Sequence, residues 1–141
     1  MSIFVDTGAW YAVADTSDRH HDAASRFYLS HASPGQLATS DLVVAETWTL
    51  LVSHLGRQAA LTFWETLRDA RLPILAIEPS DLEAAWRIAQ AFADQDFSFT
   101  DCTSFALMER LGIEDAFAFD RHFLVYRYGS SRHRAFHRHP A

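Results

Sequence analysis

Lysine is absent from this chain of 141 residues, and cysteine, glycine and proline are scarce. The one cysteine, Cys102, excludes an internal disulfide and suits a reducing compartment, so we expect a cytoplasmic protein. No apolar run approaches the roughly 18 residues of a membrane span, and the opening MSIFVD lacks the basic and apolar regions of a signal peptide. These absences argue against a disulfide-rich secreted protein and against a membrane protein.

Because lysine is missing, the basic charge is carried by 12 arginines, and they are unevenly spread. Residues 121–141 hold five arginines and no acid, whereas residues 1–120 hold seven arginines and all 18 acids, giving +5 and −11. Such a chain can still bind a polyanion if the acids surround metal ions and the arginines contact phosphates. The alternative without a binding function is that residues from about 130 to 141 form a basic, mobile tail that aids solubility.

Apolar segments alternate between strand and helix patterns along the whole chain, and nothing marks a domain boundary. Ser80 and Glu83 resemble a capping box at the start of one helix. Strands separated by helices predict an α/β fold: one domain over residues 1–141, with a central, mostly parallel sheet of four to five strands flanked by helices. The predicted strands cover 2–6, 36–40, 72–79 and 114–120, and the predicted helices cover 7–15, 17–32, 41–56, 57–70, 80–94 and 100–111.

Four carboxylates lie in unusually apolar surroundings. Asp6 and Asp120 each end an apolar strand, Glu46 lies in the helix DLVVAETWTLL, and Asp101 lies in the first turn of FTDCTSFALMERLG. Parallel strands bring their carboxyl ends to one edge of a sheet, where ligands bind. Taken singly, each acid has a structural explanation: a helix cap for Asp101, a turn for Asp6, solvent exposure for Glu46 and pairing with Arg121 or His122 for Asp120.

Clustering of all four acids is the functional hypothesis. Buried carboxylates are costly unless they are paired, protonated or bound to a cation, and basic partners are scarce nearby. Mg²⁺ and Mn²⁺ prefer such oxygen ligands, and a pair of these ions suits phosphodiester hydrolysis, because one activates a water while the other stabilises the leaving oxygen. The hydroxyls of Thr7 and Thr100 are candidates for orienting a carboxylate or a water.

The segments VDTGAWYAVAD, VVAET, FTDCTSFALMERLGI and AFAFDRHF together resemble the PIN-domain ribonucleases, above all the VapC-type toxins of toxin–antitoxin pairs. The resemblance covers nearly the whole chain. It implies that Asp6, Glu46, Asp101 and Asp120 are the catalytic and metal-binding acids, with Thr7 and Thr100 in support. It further implies an endoribonuclease that uses Mg²⁺ or Mn²⁺, forms a homodimer and is silenced by a cognate VapB-like antitoxin.

Two other functions fit the same fold. The first is a PIN-like domain that binds RNA without cutting it, which would have the same fold as the nuclease but no catalytic activity. A receiver-like signalling domain also carries acids after its strands, but such receivers use a pocket lysine that this chain lacks.

A few further residues have weaker functional interpretations. Cys102 beside Asp101 is a small residue suited to a buried helix face rather than a nucleophile. The tail histidines at 133, 137 and 139 indicate adventitious metal binding. Trp10 and Tyr11, just after the first acid, are candidates for a pocket wall.

Overall fold

The computed structural model describes residues 2–141 and contains a parallel sheet surrounded by helices. Its elements in chain order are β1 (Ile3–Val5), α1 (Thr7–Ala14), α2 (His21–His31), β2 (Leu37–Ser40), α3 (Asp41–Leu55), α4 (Arg57–Asp69), β3 (Ile74–Leu75), α5 (Pro79–Ala91), α6 (Phe99–Leu111), β4 (Asp115–Phe117), α7 (His122–Val125) and β5 (His137–His139). Within residues 2–141, no helix is both long enough and apolar enough to cross a bilayer.

The five strands run in the order β3–β2–β1–β4–β5, and every neighbouring pair is parallel. The α/β prediction of a mostly parallel sheet of four to five strands is therefore confirmed. The strand β1 lies at the centre and is wholly buried, as expected for a sheet covered on both faces. All strand ends that lead into α1, α3 and the 118–121 segment consequently meet at one edge.

The chain's last residues belong to the sheet rather than to a separate mobile tail. His137 donates its backbone N–H to the carbonyl of Glu114 (2.8 Å), and Ala118 donates to the carbonyl of His139 (3.0 Å). Phe136, which is 3% exposed, anchors this segment by stacking on Tyr128 at a centroid distance of 4.6 Å. The short polar sequence HRH has no apolar alternation, so its strand character comes from this anchor and from pairing with β4.

The helix α5 begins one residue earlier than its sequence signals indicate. Glu78, not Ser80, is the N-cap, and Pro79 occupies the first helical position, where a missing N–H costs nothing. The capping partner is Asp81, whose Oδ2 accepts from the backbone N–H of Glu78 at 2.9 Å, and not Glu83. Asp81 is 1% exposed and also binds Arg110 of α6 through two hydrogen bonds of 2.7 and 2.9 Å. This ion pair joins α5 to the helix that carries Asp101.

Aromatic packing fixes the elements around the sheet edge. Phe105 of α6 stacks on Tyr126 with centroids 4.4 Å apart and planes 3° from parallel, so α6 and the end of α7 are held together. Trp10 is 2% exposed and donates its indole N–H to Thr39 Oγ1 at 3.2 Å. Trp10 does line a cavity, of about 330 Å³ between α1, α2 and α4, but that cavity is lined by none of the four predicted acids.

Candidate active site

Asp6 and Asp120 follow neighbouring strands and lie at the same edge of the sheet. Asp6 follows β1 directly and begins α1, and its backbone N–H donates to the carbonyl of Phe117 at the end of β4 (3.0 Å). Asp120 lies three residues beyond β4 and two residues before α7. The strands β1 and β4 are mostly buried, and the segments that follow them present carboxylates at the carboxyl edge.

Asp101 is brought to this edge by the first turn of α6. Ser98 is the N-cap: its hydroxyl accepts from the backbone N–H of Asp101 at 3.0 Å, and its own N–H donates to Asp101 Oδ2 at 3.0 Å. Asp101 is 6% exposed. Asp101 therefore serves as a capping residue and also belongs to the site. One of its carboxylate oxygens makes the capping bond, while the side chain faces the acids after β1 and β4.

His122 joins two of the acids through one ring nitrogen. Its Nδ1 lies 2.9 Å from Asp101 Oδ2 and 3.2 Å from Asp120 Oδ1, and its backbone N–H donates to that same Asp120 oxygen at 2.9 Å. Asp101, Asp120 and His122 each offer a ligand atom within 4.8 Å of the others. Sequence reasoning identified His122 only as a pairing partner for Asp120, and the one signal for it was its position two residues after that acid.

Among the acids of the site, Asp6 has the most strongly raised pKa. Burial raises the pKa of Asp6 to about 8, and the charges of Asp101, Asp120 and Glu46 push it in the same direction. Burial also raises the pKa of Asp101, although the N–H of Ser98 and the ring of His122 oppose that rise. Simultaneous ionisation of all four acids is therefore opposed here, and a bound cation would favour it by neutralising their charge.

Glu46 approaches the cluster from α3 and is half-buried. It lines an open groove of about 510 Å³ together with Thr100. The rest of the groove is mostly apolar and is formed by Leu42, Ala45, Thr49, Leu50, Ser53 and Phe99. Of the four predicted acids, Asp6, Asp101 and Asp120 meet at the strand edge, and Glu46 is placed at one side of them, within electrostatic reach of Asp6.

The residues present suit a hard divalent cation. Most of the donors are carboxylate oxygens, which are the ligands that Mg²⁺ and Mn²⁺ prefer, and His122 contacts two of these carboxylates. Thr7 and Thr100 are 6% and 8% exposed, and Thr7 Oγ1 has no hydrogen-bond partner among residues 2–141. A buried hydroxyl beside Asp6 without a partner is costly by itself, and a water of a bound ion would satisfy it.

Cys102 lies next to this cluster but is unsuited to nucleophilic chemistry. The side chain is 4% exposed, and burial, aided by the charge of Asp101, raises the pKa of its thiol. A thiol is a nucleophile only as the thiolate. Cys102 is therefore a core residue of α6, as the sequence indicated.

Comparison with known families identifies the class of protein. Residues 3–127 match the family model of the PIN domain. The chain therefore belongs to the PIN-domain family, whose nucleases generally depend on divalent metal ions, in keeping with the acidic cluster described above.

Within that family the chain is of the VapC type, as predicted. It is 38% identical over 122 residues, 86% of this chain and 91% of the relative, to the 23S rRNA-specific endonuclease VapC20 of two Mycobacterium tuberculosis strains. It is also 28% identical over 126 residues, covering 89% of this chain and 92% of the relative, to the Mycobacterium tuberculosis ribonuclease VapC26. These relatives confirm that the chain is a nuclease.

Solved structures support the same assignment. The crystal structure of Mycobacterium tuberculosis VapC20, described as a toxin that cleaves the sarcin–ricin loop, superposes with a TM-score of 0.80 at 34% identity, covering 87% of this chain and 93% of that one. VapBC2 from Rickettsia felis, solved bound to a promoter DNA fragment, gives a TM-score of 0.68 at 11% identity over 89% and 92% of the two chains, and so shows the fold alone.

Proposed function

We propose that this protein is the toxin of a type II toxin–antitoxin pair, a cytoplasmic endoribonuclease that uses Mg²⁺ or Mn²⁺. One observation carries the proposal: Asp6, Asp101 and Asp120 come from three separate segments and lie close together beside His122, at one edge of the sheet. Glu46 completes the catalytic set from α3. The VapC relatives supply the class of reaction, hydrolysis of RNA phosphodiester bonds.

Each side chain has a defined task in this proposal. Asp6, Asp101 and Asp120 hold the divalent ion, which supplies an activated water and stabilises the leaving oxygen when bound. His122 fixes the orientation of the Asp101 and Asp120 carboxylates through its contacts of 2.9 and 3.2 Å. Thr7 and Thr100 orient waters in the same pocket. No protein nucleophile is needed, which agrees with the buried state of Cys102.

A basic surface beside Asp120, formed by Arg19, His20 and Arg138 and called the basic ledge below, provides the contact for the RNA backbone. The ring of His20 stacks on Phe119 at 4.4 Å and 8°, and Arg19 Nε lies 3.2 Å from His20 Nε2. Arg138 donates to the carbonyl of Phe119 at 3.0 Å. Neither arginine forms an ion pair with an acid among residues 2–141, so both guanidinium groups are available to phosphates.

We further propose ribosomal RNA as the substrate to test first, because the VapC20 relative is 23S rRNA-specific. The proposed partners are a VapB-like antitoxin and a second copy of the chain. The hairpin of α3 and α4 supports this, since it leaves large apolar side chains exposed at Val52, Leu55, Leu61 and Trp64.

A silent RNA-binding domain is the second candidate function, and a cleavage assay separates the two. We expect wild-type protein with Mn²⁺ or Mg²⁺ to cleave ribosomal RNA, and Asp101→Asn to reduce the rate at least about a hundredfold while the fold is retained. Circular dichroism serves as the control for folding, and Glu83→Gln, at an exposed acid of α5 that lies 18 positions from the nearest of the four, serves as the matched variant. Equal cleavage by Asp101→Asn and wild type would refute the proposed mechanism. RNA binding without cleavage by the wild type would establish the silent domain.

A further inference from the structure

We propose that the edge of the sheet formed by β4 and β5 holds a transition-metal site, made by Asp115, His137 and His139, that is separate from the acidic cluster and takes Zn²⁺. This site does not depend on the nuclease activity proposed above. It accounts for two of the tail histidines that the nuclease chemistry leaves unused.

The strand register places the three side chains on one face of the sheet. His137 and His139 are two residues apart on β5, and successive side chains of a strand alternate between faces, so both project to the same side. Asp115 on β4 is the direct pairing partner of His137. Neighbouring strands are about 4.8 Å apart and alternate residues along a strand about 6.6 Å apart, so three side chains of this length can reach a common point.

The observed contacts already converge on one atom. His139 Nε2 lies 2.9 Å from Asp115 Oδ1, and His137 Nδ1 lies 3.5 Å from the same oxygen. Zinc bonds to nitrogen and carboxylate oxygen are about 2.0–2.2 Å, which places neighbouring ligand atoms of a tetrahedral ion about 3.3 Å apart. Both measured contacts are close to that separation, whereas the ring nitrogens of His137 and His139 lie farther from each other than 4.8 Å. Without metal the two rings share the carboxylate oxygen, and binding requires a rotation that brings the ring nitrogens together around the ion.

The exposure of the three groups allows that rotation. The side chain of His137 is 65% exposed and that of His139 is 36% exposed, whereas Asp115 is 15% exposed. Because Asp115 and the ring of His139 are held in place, the exposed ring of His137 would make the movement, and a further coordination position would face solvent. One carboxylate with two imidazoles favours zinc and its neighbours over Mg²⁺.

The ring of His139 is further held from the other side by α2. Phe27 lies nearly parallel to it at a centroid distance of 5.8 Å and also contacts Phe117, the pairing partner of His139. A metal here would cross-link β5 to β4. Because Arg138 lies between the two histidines and binds the Phe119 carbonyl, the cross-link would also fix the basic ledge.

The test is metal binding by the full-length protein, with Zn²⁺ titrated by calorimetry and Co²⁺ used as an absorbing substitute. Millimolar Mg²⁺ is present throughout to occupy the acidic cluster, and Asp101→Asn is run in parallel. We expect wild type and Asp101→Asn to bind Zn²⁺ alike, to show the intense visible absorption of tetrahedral Co²⁺, and to melt at a higher temperature with Zn²⁺.

Single substitutions locate the ligands. We expect His137→Ala and His139→Ala each to weaken Zn²⁺ binding at least about tenfold and to abolish the melting shift, whereas His133→Ala, an exposed histidine outside the three, behaves as wild type. Melting in EDTA checks folding, and Asp115→Asn replaces His139→Ala if that variant does not fold. Unchanged Zn²⁺ affinity in either His137→Ala or the second ligand variant would overturn the proposal. So would loss of binding in Asp101→Asn, which would place the ion in the acidic cluster.

Discussion

His122 Nδ1 contacts Asp101 Oδ2 at 2.9 Å, although the two residues are 21 positions apart in the chain. The contact links the first turn of α6 to the start of α7, and the same nitrogen lies 3.2 Å from Asp120. Both helices are in turn fastened by the stacking of Phe105 on Tyr126. The carboxylates therefore have fixed positions before any ion binds, which reduces the reorganisation that binding requires.

Removing the ring of His122 should weaken catalysis without destroying the fold. We expect His122→Ala to lower the RNA cleavage rate by about 10- to 100-fold and to weaken Mn²⁺ binding, because the Asp101 and Asp120 carboxylates lose their common partner. Cleavage rates at several Mn²⁺ concentrations, with His133→Ala as the exposed-histidine control, measure the effect. A His122→Ala enzyme with unchanged rate and unchanged metal dependence would show that the contact does not position the acids.

The metal-free protein should become less stable as the pH rises. Asp6 has an ordinary pKa of 3.8 when unfolded, and burial beside Asp101 raises its folded pKa to about 8. Between these values the folded state binds more protons than the unfolded state, so the free energy of unfolding falls as the pH rises from about 4 to about 8. We expect the loss to be on the order of a few kcal/mol and to be smaller in Asp6→Asn, where only the raised pKa of Asp101 still contributes. Thermal melts in EDTA across this range test it, and parallel pH curves for the two proteins would contradict it.

Divalent ions should reverse this pH effect. An ion that binds only the folded state stabilises it by about 2.7 kcal/mol at a concentration one hundred times its dissociation constant. We expect millimolar Mn²⁺ or Mg²⁺ to raise the melting temperature by several degrees at pH 8, and by less at pH 5, where Asp6 retains its proton. The same melts in Asp6→Asn supply the comparison, since that variant should lose most of the shift. If millimolar metal left the melting temperature unchanged at both pH values, that result would count against a preformed site.

The sequence was sufficient to predict the parallel α/β fold, because strand and helix patterns alternate along the whole chain. It also indicated that Asp6 and Asp120 lie at the carboxyl edge, since both follow apolar segments. The assignment of all four acids to one metal site stays a prediction from the family resemblance. The sequence could not reveal that β5 would form from HRH, since the pairing depends on the distant anchor Phe136. Nor could it assign His122 its role, which is created by the packing of α6 against α7. Nor could it reveal the orientation of Trp10, because its hydrogen bond to Thr39 is a tertiary contact across 29 residues.

The ion pair between Asp81 and Arg110 should stabilise the folded protein without affecting the rate of RNA cleavage. Asp81 is 1% exposed, and Arg110→Ala would leave its charge buried with only a backbone partner. We expect the free energy of unfolding to fall, because the Asp81 carboxylate would lose its two charge-assisted hydrogen bonds while it stays buried. Arg110 also lowers the pKa of Asp81, so the pair's contribution is present above pH 3.8 and is lost as the pH falls through the lowered value.

Urea unfolding of Arg110→Ala measures that loss, and Arg87→Ala on the exposed face of α5 is the matched control. Cleavage by the folded fraction should remain near that of wild type at low temperature. A stability equal to wild type at neutral pH would mean that solvent compensates the buried carboxylate.

The most direct test of the central claim is the position of Mn²⁺ in a crystal, located by its anomalous scattering. We predict an ion bonded to carboxylate oxygens of Asp6 and Asp101, with Asp120 in its coordination sphere or one water away and Glu46 at the same pocket. An ion bound elsewhere, or an acidic cluster that stays free of metal at saturating Mn²⁺ in crystals of active enzyme, would contradict the account.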